Sequence, residues 1–524
     1  MVWLTVVTFT SVGQNFNVTN HKTFENLFIQ QIDTSANTHT AIKPFSLNET
    51  NKVVGYDSLF NGLRSNTNSG FFNLLLNNNL VETKGERFVL IMNPIINTGV
   101  GIEKGDTGSS SLHELAFGLN VKSGLGKKWS AEFSFLADNS QYPSHIDQLI
   151  NTQHAGQGYG YTKNNQSMYF QGNLTFTPDD IFTLQAGVGK NFIGDGYRSL
   201  FLSDYANSYP YFKVTANIWK IKYMSLYTNY QDIRFSDGAA SDFRQKFSTI
   251  HYLSYNVTKW WNIGFFESIV WQSQEDDYYR GYDLSYLNPV IFLRPVEYHQ
   301  GSADNALLGG SFKFRLNKKN SIYTQLLLDE FLLAELKANE GWWGNKYAFQ
   351  LGYKSYGLFG LKNIKFQAEL NIVRPFTYSY YQEPSSLNTL QNYGHFNAPL
   401  AHPWGANFRE VLGGITYANK RWVIETMSSV VQVGLDDSRF SIGQNIYQPY
   451  NERKQNYGYE IGGGLKTTVL NNSLKVSYVL NPKMQTIIQL GVNNRRYTND
   501  VVNSSSNWFS FGIKTALINQ YFDI

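Results

Sequence analysis

From about residue 85 onward apolar and polar side chains alternate at every step, and a period of two over so long a stretch leaves few folds open. Met168, Phe170, Gly172, Leu174 and Phe176 alternate with Ser167, Tyr169, Gln171, Asn173 and Thr175. Phe182, Leu184, Ala186 and Val188 do so with Thr183, Gln185, Gly187 and Gly189, as do Val214, Ala216 and Ile218 with Lys213, Thr215 and Asn217. The pattern returns at Tyr347–Lys354, Leu474–Asn481 and Phe509–Leu517. Side chains of a strand point alternately to its two faces, so each run is a strand wetted on one side only. A soluble sandwich usually carries charge on its wet face, but here that face is mostly Gly, Ser, Asn, Gln and Thr. Charged residues are 16% of the chain, well below the ordinary quarter or so, while aromatics are also 16% and often sit at strand ends. Apolar residues facing lipid, small polar ones facing a lumen and aromatic girdles at the interfaces define a transmembrane antiparallel β-barrel. Closure lets every strand satisfy its backbone hydrogen bonds in lipid.

The remaining classes fall away. No stretch approaches the ~20 apolar residues of a spanning helix, and the aromatic content excludes intrinsic disorder. With no cysteine, disulfide frameworks, thiol catalysis and Cys-zinc sites are impossible. A net charge of +4 over 524 residues, with no concentrated Lys/Arg run, does not suggest nucleic acid.

Val2–Phe9 is apolar, and Ser11 and Gly13 suit cleavage before Gln14, so residues 1–13 read as an export signal, without the usual basic start. Residues 14–84 read as a periplasmic plug segment and 85–524 as the barrel. Within the plug segment, Asn20–Asp33 has helical spacing, with Asn20 as cap and Phe24, Leu27, Phe28 and Ile32 on one face. Pro44 makes His39–Pro44 extended, and 45–84 reads as irregular, with an apolar patch at Phe71, Phe72 and Leu74–Leu76. At the other end, a last strand followed by Tyr521 and Phe522 resembles the aromatic signal read by outer-membrane insertion machinery.

The segment Gly189–Leu200 lacks the spacing of a phosphate loop. With its continuation through Tyr211-Phe212, it closely resembles the capsule-assembly Wzi family of outer-membrane barrels. More specifically it resembles that family's RemB-like gliding-motility branch in Bacteroidota. Further matches follow in order at His251–Asn256, Asn262–Ser268, Leu287–Phe292, Tyr323, Gln325, Leu328–Phe331, Asn392–His395 and His402–Phe408. They cover roughly residues 160 to 524, and His39–Pro44 is similar to the branch's entry into the barrel. The resemblance implies a barrel of about 18 strands with N-terminal helical elements closing the periplasmic mouth. It implies a non-enzymatic protein that assembles or attaches surface polysaccharide, with outer-membrane lipid around it and no cofactor. An accessory role in gliding motility or surface secretion, alongside motility or secretion proteins, is the alternative. A passive porin would need only the barrel.

Several residues could carry chemistry. Glu267, Asp329 and Glu330 could form a carboxylate pair for glycoside hydrolysis, but no spacing links them, and lumen networks with Arg198, Arg294 or Arg315 are the plainer reading. Glu275-Asp276-Asp277 and Asp436-Asp437 lack a ligand ladder, and His299, His395 and His402 lack the HExxH spacing, so no metal site and no catalytic residue is assigned. Tyr278-Tyr279, Trp342, Trp343 and Trp404 offer aromatic faces on which sugar rings could stack, or else belong to a membrane-interface belt. Gly194 and Gly196 bracket Asp195 and permit a tight turn with positive φ. Arg198 follows with a five-donor fork suited to a carboxylate of the wall or of an acidic polysaccharide. Asp204 and Asn288 complete the candidate lumen or glycan contacts.

Overall fold

The computed structural model describes residues 15–67, 69–106, 108–153, 160–162, 165–274, 279–291, 304–381, 391–436 and 440–524. The expected export signal, Glu275–Tyr278, Arg294, His299 and Asp437 lie outside the described residues.

Among the described residues, eighteen antiparallel strands close one barrel. They are β1 (Phe88–Gly105), β2 (Gly108–Leu125), β3 (Trp129–Asn139), β4 (Gln166–Phe176), β5 (Phe182–Gly189), β6 (Tyr209–Ile218), β7 (Ile221–Asp232), β8 (Arg244–Asn256) and β9 (Trp261–Gln272). The circuit continues through β10 (Asn305–Arg315), β11 (Asn320–Glu330), β12 (Lys346–Tyr356), β13 (Ile364–Val373), β14 (Phe408–Asn419), β15 (Trp422–Leu435), β16 (Leu465–Asn481), β17 (Thr486–Thr498) and β18 (Asn503–Thr515). β18 pairs back onto β1, with Ser506 opposite Gly105 and Ile513 opposite Thr98. Turns such as 126–128, 219–220 and 420–421 are short at one mouth, whereas the other carries the long connections 140–165, 190–208, 273–304, 374–407 and 436–464. The outward side chains are apolar around most of the wall: Met168, Phe170, Leu174, Leu351, Val411, Phe509 and Phe511 are all exposed.

The lumen is largely occupied by the chain itself, around a remaining cavity of about 190 Å³ beside Lys22, Glu425 and Lys514. Helices α1 (Lys22–Glu25), α2 (Ile29–Thr34), α3 (Leu47–Val54), α4 (Tyr56–Asn61) and α5 (Gly70–Asn77) precede the barrel. The single helix expected over 20–33 is therefore two, broken at Asn26–Phe28, because the turn lets both Phe24 and Phe28 enter one core with Ile32 and Phe60. Tyr356, Val479 and Ile487 of the wall complete that core at the short-turn mouth. Asn20 does not cap; its amide donates to Asp204. The stretch 45–84 is not irregular but holds three helices, the first opened by Ser46, whose Oγ accepts from Glu49 N at 3.2 Å. Val81–Lys84 then pairs with the start of β1.

Acidic plug residues meet lysines that point inward from the wall. Asp33 accepts from Lys313 Nζ (2.8 Å), Lys354 Nζ (3.3 Å) and the Tyr356 hydroxyl (2.5 Å), and Glu49 pairs with Lys222 at 2.5 Å. From the other mouth, 190–208, 374–381 and 391–407 descend into the barrel. There Leu200, Phe201, Leu202, Tyr378, Tyr393 and Leu400 pack on inward Met224, Leu226, Ile250, Phe266 and Val270. This half of the lumen is an apolar core, not the uniformly small polar surface that alternation suggests.

The chain after Thr515 turns inside rather than ending on a strand. Leu517 and Ile518 pack on Ile95, Leu136 and Tyr169, and Tyr521 donates to Asp204. Tyr521 and Phe522 are thus lumen residues beyond a last strand that ends at Thr515, rather than aromatics terminating that strand as the resemblance to an insertion signal suggests.

One connection runs over the outside. Residues 279–291 lie against the outer face of β7–β9, where Phe247, Ile269 and Trp271 pack with Tyr282 and Tyr286. Wall side chains supply its carbonyls with donors: Trp271 Nε1 to Gly281 (3.1 Å), Thr249 Oγ1 to Tyr286 (3.0 Å), Tyr227 hydroxyl to Leu287 (3.1 Å) and Tyr223 hydroxyl to Pro289 (2.6 Å). An irregular backbone survives beside lipid only when its polar groups are satisfied in this way. Arg280 ties the strap to Asp304 with two 2.8 Å bonds.

Candidate functional site

The loop 190–208 builds the centre of the lumen. Gly194 has φ 155°, whereas Gly196 is required by space, because a Cβ there would lie 2.5 Å from the carbonyl of Arg198 and 3.0 Å from Glu369 Oε1. That close approach, rather than a left-handed turn at both glycines, lets Glu369 accept from the backbone N–H groups of Tyr197 and Arg198. Glu369 also accepts from the Tyr323 hydroxyl (2.7 Å) and Gln367 Nε2 (2.8 Å). Asp195 accepts from Lys313 (2.9 Å) and Thr40 (2.5 Å), which stitches the loop to the plug. Arg198 is fully buried and donates to Glu410 Oε1 (3.1 Å) and Asp523 Oδ2 (3.0 Å), with the rings of Tyr197 and Tyr521 beside it. Asp204 accepts from Asn519 (2.7 Å) and Tyr521 (2.5 Å). Burial opposes its ionisation, but Lys22, the two hydrogen bonds and Lys190 outweigh that and hold its carboxyl below the usual range.

His402 joins this network to the mouth above. Its Nε2 is 2.8 Å from Glu410 Oε2, and its Nδ1 accepts from Trp404 N at 3.3 Å. Burial lowers the imidazole pKa, with Glu410 pulling the other way. Trp404 then faces a vestibule of about 430 Å³ at the long-loop mouth. Tyr205, Tyr447, Arg234, Arg495, Asn397 and Gln444 also line it. The loop is held by Gln444 Nε2 donating to Trp404 O at 3.0 Å, while the indole Nε1 is buried with no hydrogen-bond partner among the described residues. Arg234 is fixed on Asp232 and on the carbonyl of Tyr447 (2.7 Å). Aromatic faces beside amides and guanidinium forks can stack a sugar ring and hydrogen-bond its hydroxyls, and a concave pocket with a few convergent polar groups is where a ligand is sought.

The other candidates lie elsewhere. Glu267 is not in the lumen: it points to the outer face of β9, 3.4 Å from His251 Nδ1. The adjacent Phe265 and Phe266 leave the phase of β9 open in sequence, and packing of Phe266 into the lumen core decides it. Asn288 is exposed on the outer strap, where its Oδ1 accepts from Val290 N at 3.1 Å, so it too is corrected as a lumen contact. Asp329 and Glu330 both reach Lys346, at 3.1 and 2.9 Å, across a bulge in β11. Their partner is a lysine rather than Arg198 or Arg315, and Arg315 instead donates to the carbonyls of Asp33 and Lys259 and to Thr38. Trp342 and Trp343 belong to a separate rim cluster, with Trp343 on Tyr450 (4.7 Å) and Arg453 (4.2 Å). Tyr279 is exposed on the strap. His395 is a buried loop residue held by Gln231 N and Ser208 O. Asp436 accepts from three backbone N–H groups of 442–445. Sequence reasoning missed Tyr205, Arg234, Gln444, Tyr447 and Arg495, which sit in ordinary loop or strand contexts and meet only through the closed barrel.

The fold defines a class: an eighteen-strand antiparallel barrel of the outer-membrane type, its lumen occupied by its own chain. Among solved structures the chain is similar to Wzi of Escherichia coli, an outer membrane protein involved in group 1 capsule assembly and described as a carbohydrate-binding β-barrel. The TM-score is 0.54 at 12% identity, over 95% of this chain and 99% of that one. It is also similar to Pseudomonas aeruginosa OpdL (TM-score 0.42, 10% identity, 81% and 98% covered) and OprD (0.40, 10%, 80% and 94%). At these identities the likeness is one of fold. No protein-family model matches the chain, and no curated protein matches it.

Proposed function

We propose that this chain is a non-enzymatic outer-membrane barrel that binds surface polysaccharide in the long-loop vestibule and serves its assembly or attachment. The vestibule around Trp404 carries this reading, since it pairs an aromatic face with fixed polar groups above a lumen blocked by loop, plug and tail. That blockage favours binding over passive permeation. The asymmetry of short turns and long loops supports a vestibule on the cell exterior and a plug on the periplasmic side. Residues 1–13 act as the export signal, 14–84 as the plug and 85–524 as the barrel. Of the remaining candidate residues, Asp195, Arg198, Asp204 and His402 hold the site in shape, and Trp342 and Trp343 form a second aromatic patch on the rim.

The test is binding of purified, detergent-solubilised protein to acidic and neutral capsular polysaccharides, with Trp404→Ala as comparison. Saturable binding lost in the variant supports the proposal. Equal binding by both proteins, or none by either, overturns it. A role in gliding motility or surface secretion is favoured only by the RemB-like resemblance. A deletion strain that keeps its capsule but stops gliding would select that reading.

A further inference from the structure

Helix α5 sits at the short-turn rim with its large side chains turned away from the protein. Its sequence, Gly-Phe-Phe-Asn-Leu-Leu-Leu-Asn, leaves Phe71 69%, Phe72 51% and Leu75 42% exposed. The opposite side is pinned by polar groups of the rim. Asn481, the last residue of β16, donates to the carbonyls of Leu74 (3.2 Å), Leu75 (3.1 Å) and Asn78 (2.9 Å). Arg421, in the β14–β15 turn, donates to Leu76 O (3.0 Å) and Asn77 Oδ1 (3.1 Å). These donors satisfy carbonyls that a helix end leaves open, so the exposed face is held in place rather than left by fraying.

That face continues the outward apolar wall. Leu80 and Val81 follow α5 and are exposed, as are Phe88, Leu125 and Trp129, and Val81 pairs opposite outward-facing Met92 of β1. A short helix with bulky apolar residues on one side, fixed at the edge of a lipid-facing belt, matches an interfacial helix whose apolar face enters the headgroup–acyl boundary by ~5–10 Å. An apolar cluster on the aqueous side would instead be a costly exposed patch.

We infer that α5 is a membrane-interface foot: Phe71, Phe72 and Leu75 insert into the periplasmic leaflet, and the plug is thereby moored to lipid as well as to the lysines of the wall. The inference rests on the membrane placement proposed above, so its test carries a control for that placement.

The chain has no cysteine, which permits single-site nitroxide labels in otherwise unmodified, full-length protein reconstituted in phospholipid bilayers. Phe72→Cys and, separately, Leu75→Cys report on the foot. Phe511→Cys on the outward wall is the lipid control, and Lys52→Cys on α3 is the aqueous control. The expected result is that molecular oxygen relaxes the labels at 72 and 75 several-fold more effectively than a water-soluble nickel chelate, as at 511. If 511 behaves as lipid-exposed while 72 and 75 respond to nickel as 52 does, the foot is overturned and the barrel placement stands. If 511 is itself nickel-accessible, the membrane placement fails and the foot fails with it.

Discussion

Arg198 on the inserted loop faces Glu410 on β14 across 3.1 Å, and Asp523 of the C-terminal tail closes on the same guanidinium at 3.0 Å. Three segments far apart in sequence are thus tied by one fork. Removing one partner of a buried pair costs ~3–5 kcal/mol, because the remaining charge stays desolvated. Arg198→Ala should therefore lower stability by about that amount, measured by denaturant unfolding in micelles. Arg198→Lys should also destabilise, since an ammonium keeps the charge but loses the two-nitrogen hold on Asp523, where Nη1 and Nη2 reach separate oxygens at 3.5 and 3.0 Å. Unchanged midpoints in both variants would mean the tie contributes nothing.

Asp33→Asn should loosen the plug. It removes the carboxylate shared by Lys313 and Lys354, and the expected readouts are faster proteolysis within 15–84 and larger single-channel conductance. Burial opposes ionisation of Asp33, but Lys313 and then Lys354 outweigh it and hold the carboxyl well below its ordinary 3.8. A depressed folded-state pKa gives stability that is complete above the unfolded value and lost as pH falls through the folded one. For this carboxylate, docking of the native plug should stay constant from about pH 8 to 5 and weaken only below about 4. A loss of docking near neutrality would point to a different latch.

The strap should depend on its donors. Tyr227→Phe with Thr249→Val strips hydrogen bonds from the carbonyls of Leu287 and Tyr286, each loss worth ~1–3 kcal/mol when the acceptor stays buried. Tryptic cleavage at Arg280 should accelerate while the heat-modifiable mobility of the barrel is unchanged. Cleavage at the native rate would show that these two hydrogen bonds do not hold the strap, leaving packing on Trp271 and the ties from Trp271 Nε1, Tyr223 and Arg280.

Trp404→Ala should lower polysaccharide affinity by at least about tenfold, or ~1.4 kcal/mol, with the unfolding midpoint intact. Isothermal titration checks both the affinity and, against Trp343→Ala, whether the rim cluster shares the contact.

The alternation from residue 85 onward was legible because strand periodicity is local: each side chain's face depends only on its position in its own strand. The barrel and most of its strands follow from that. The capping pair Ser46 and Glu49 was equally present in sequence, and α3 could have been read from it. Packing alone decided what occupies the lumen. Nothing near Tyr521 in sequence says that the chain turns inward after Thr515, because its partners Asp204 and Lys22 lie hundreds of residues away. The same holds for Glu267: two adjacent phenylalanines allow either phase of β9, and only Phe266 entering the lumen core sends the carboxylate outward. Lysines rather than arginines meet Asp33 and Asp329, since the choice of partner depends on which inward positions come level when the sheet closes. Local chemistry set the strands, while closure of the barrel, a long-range event, assembled the site.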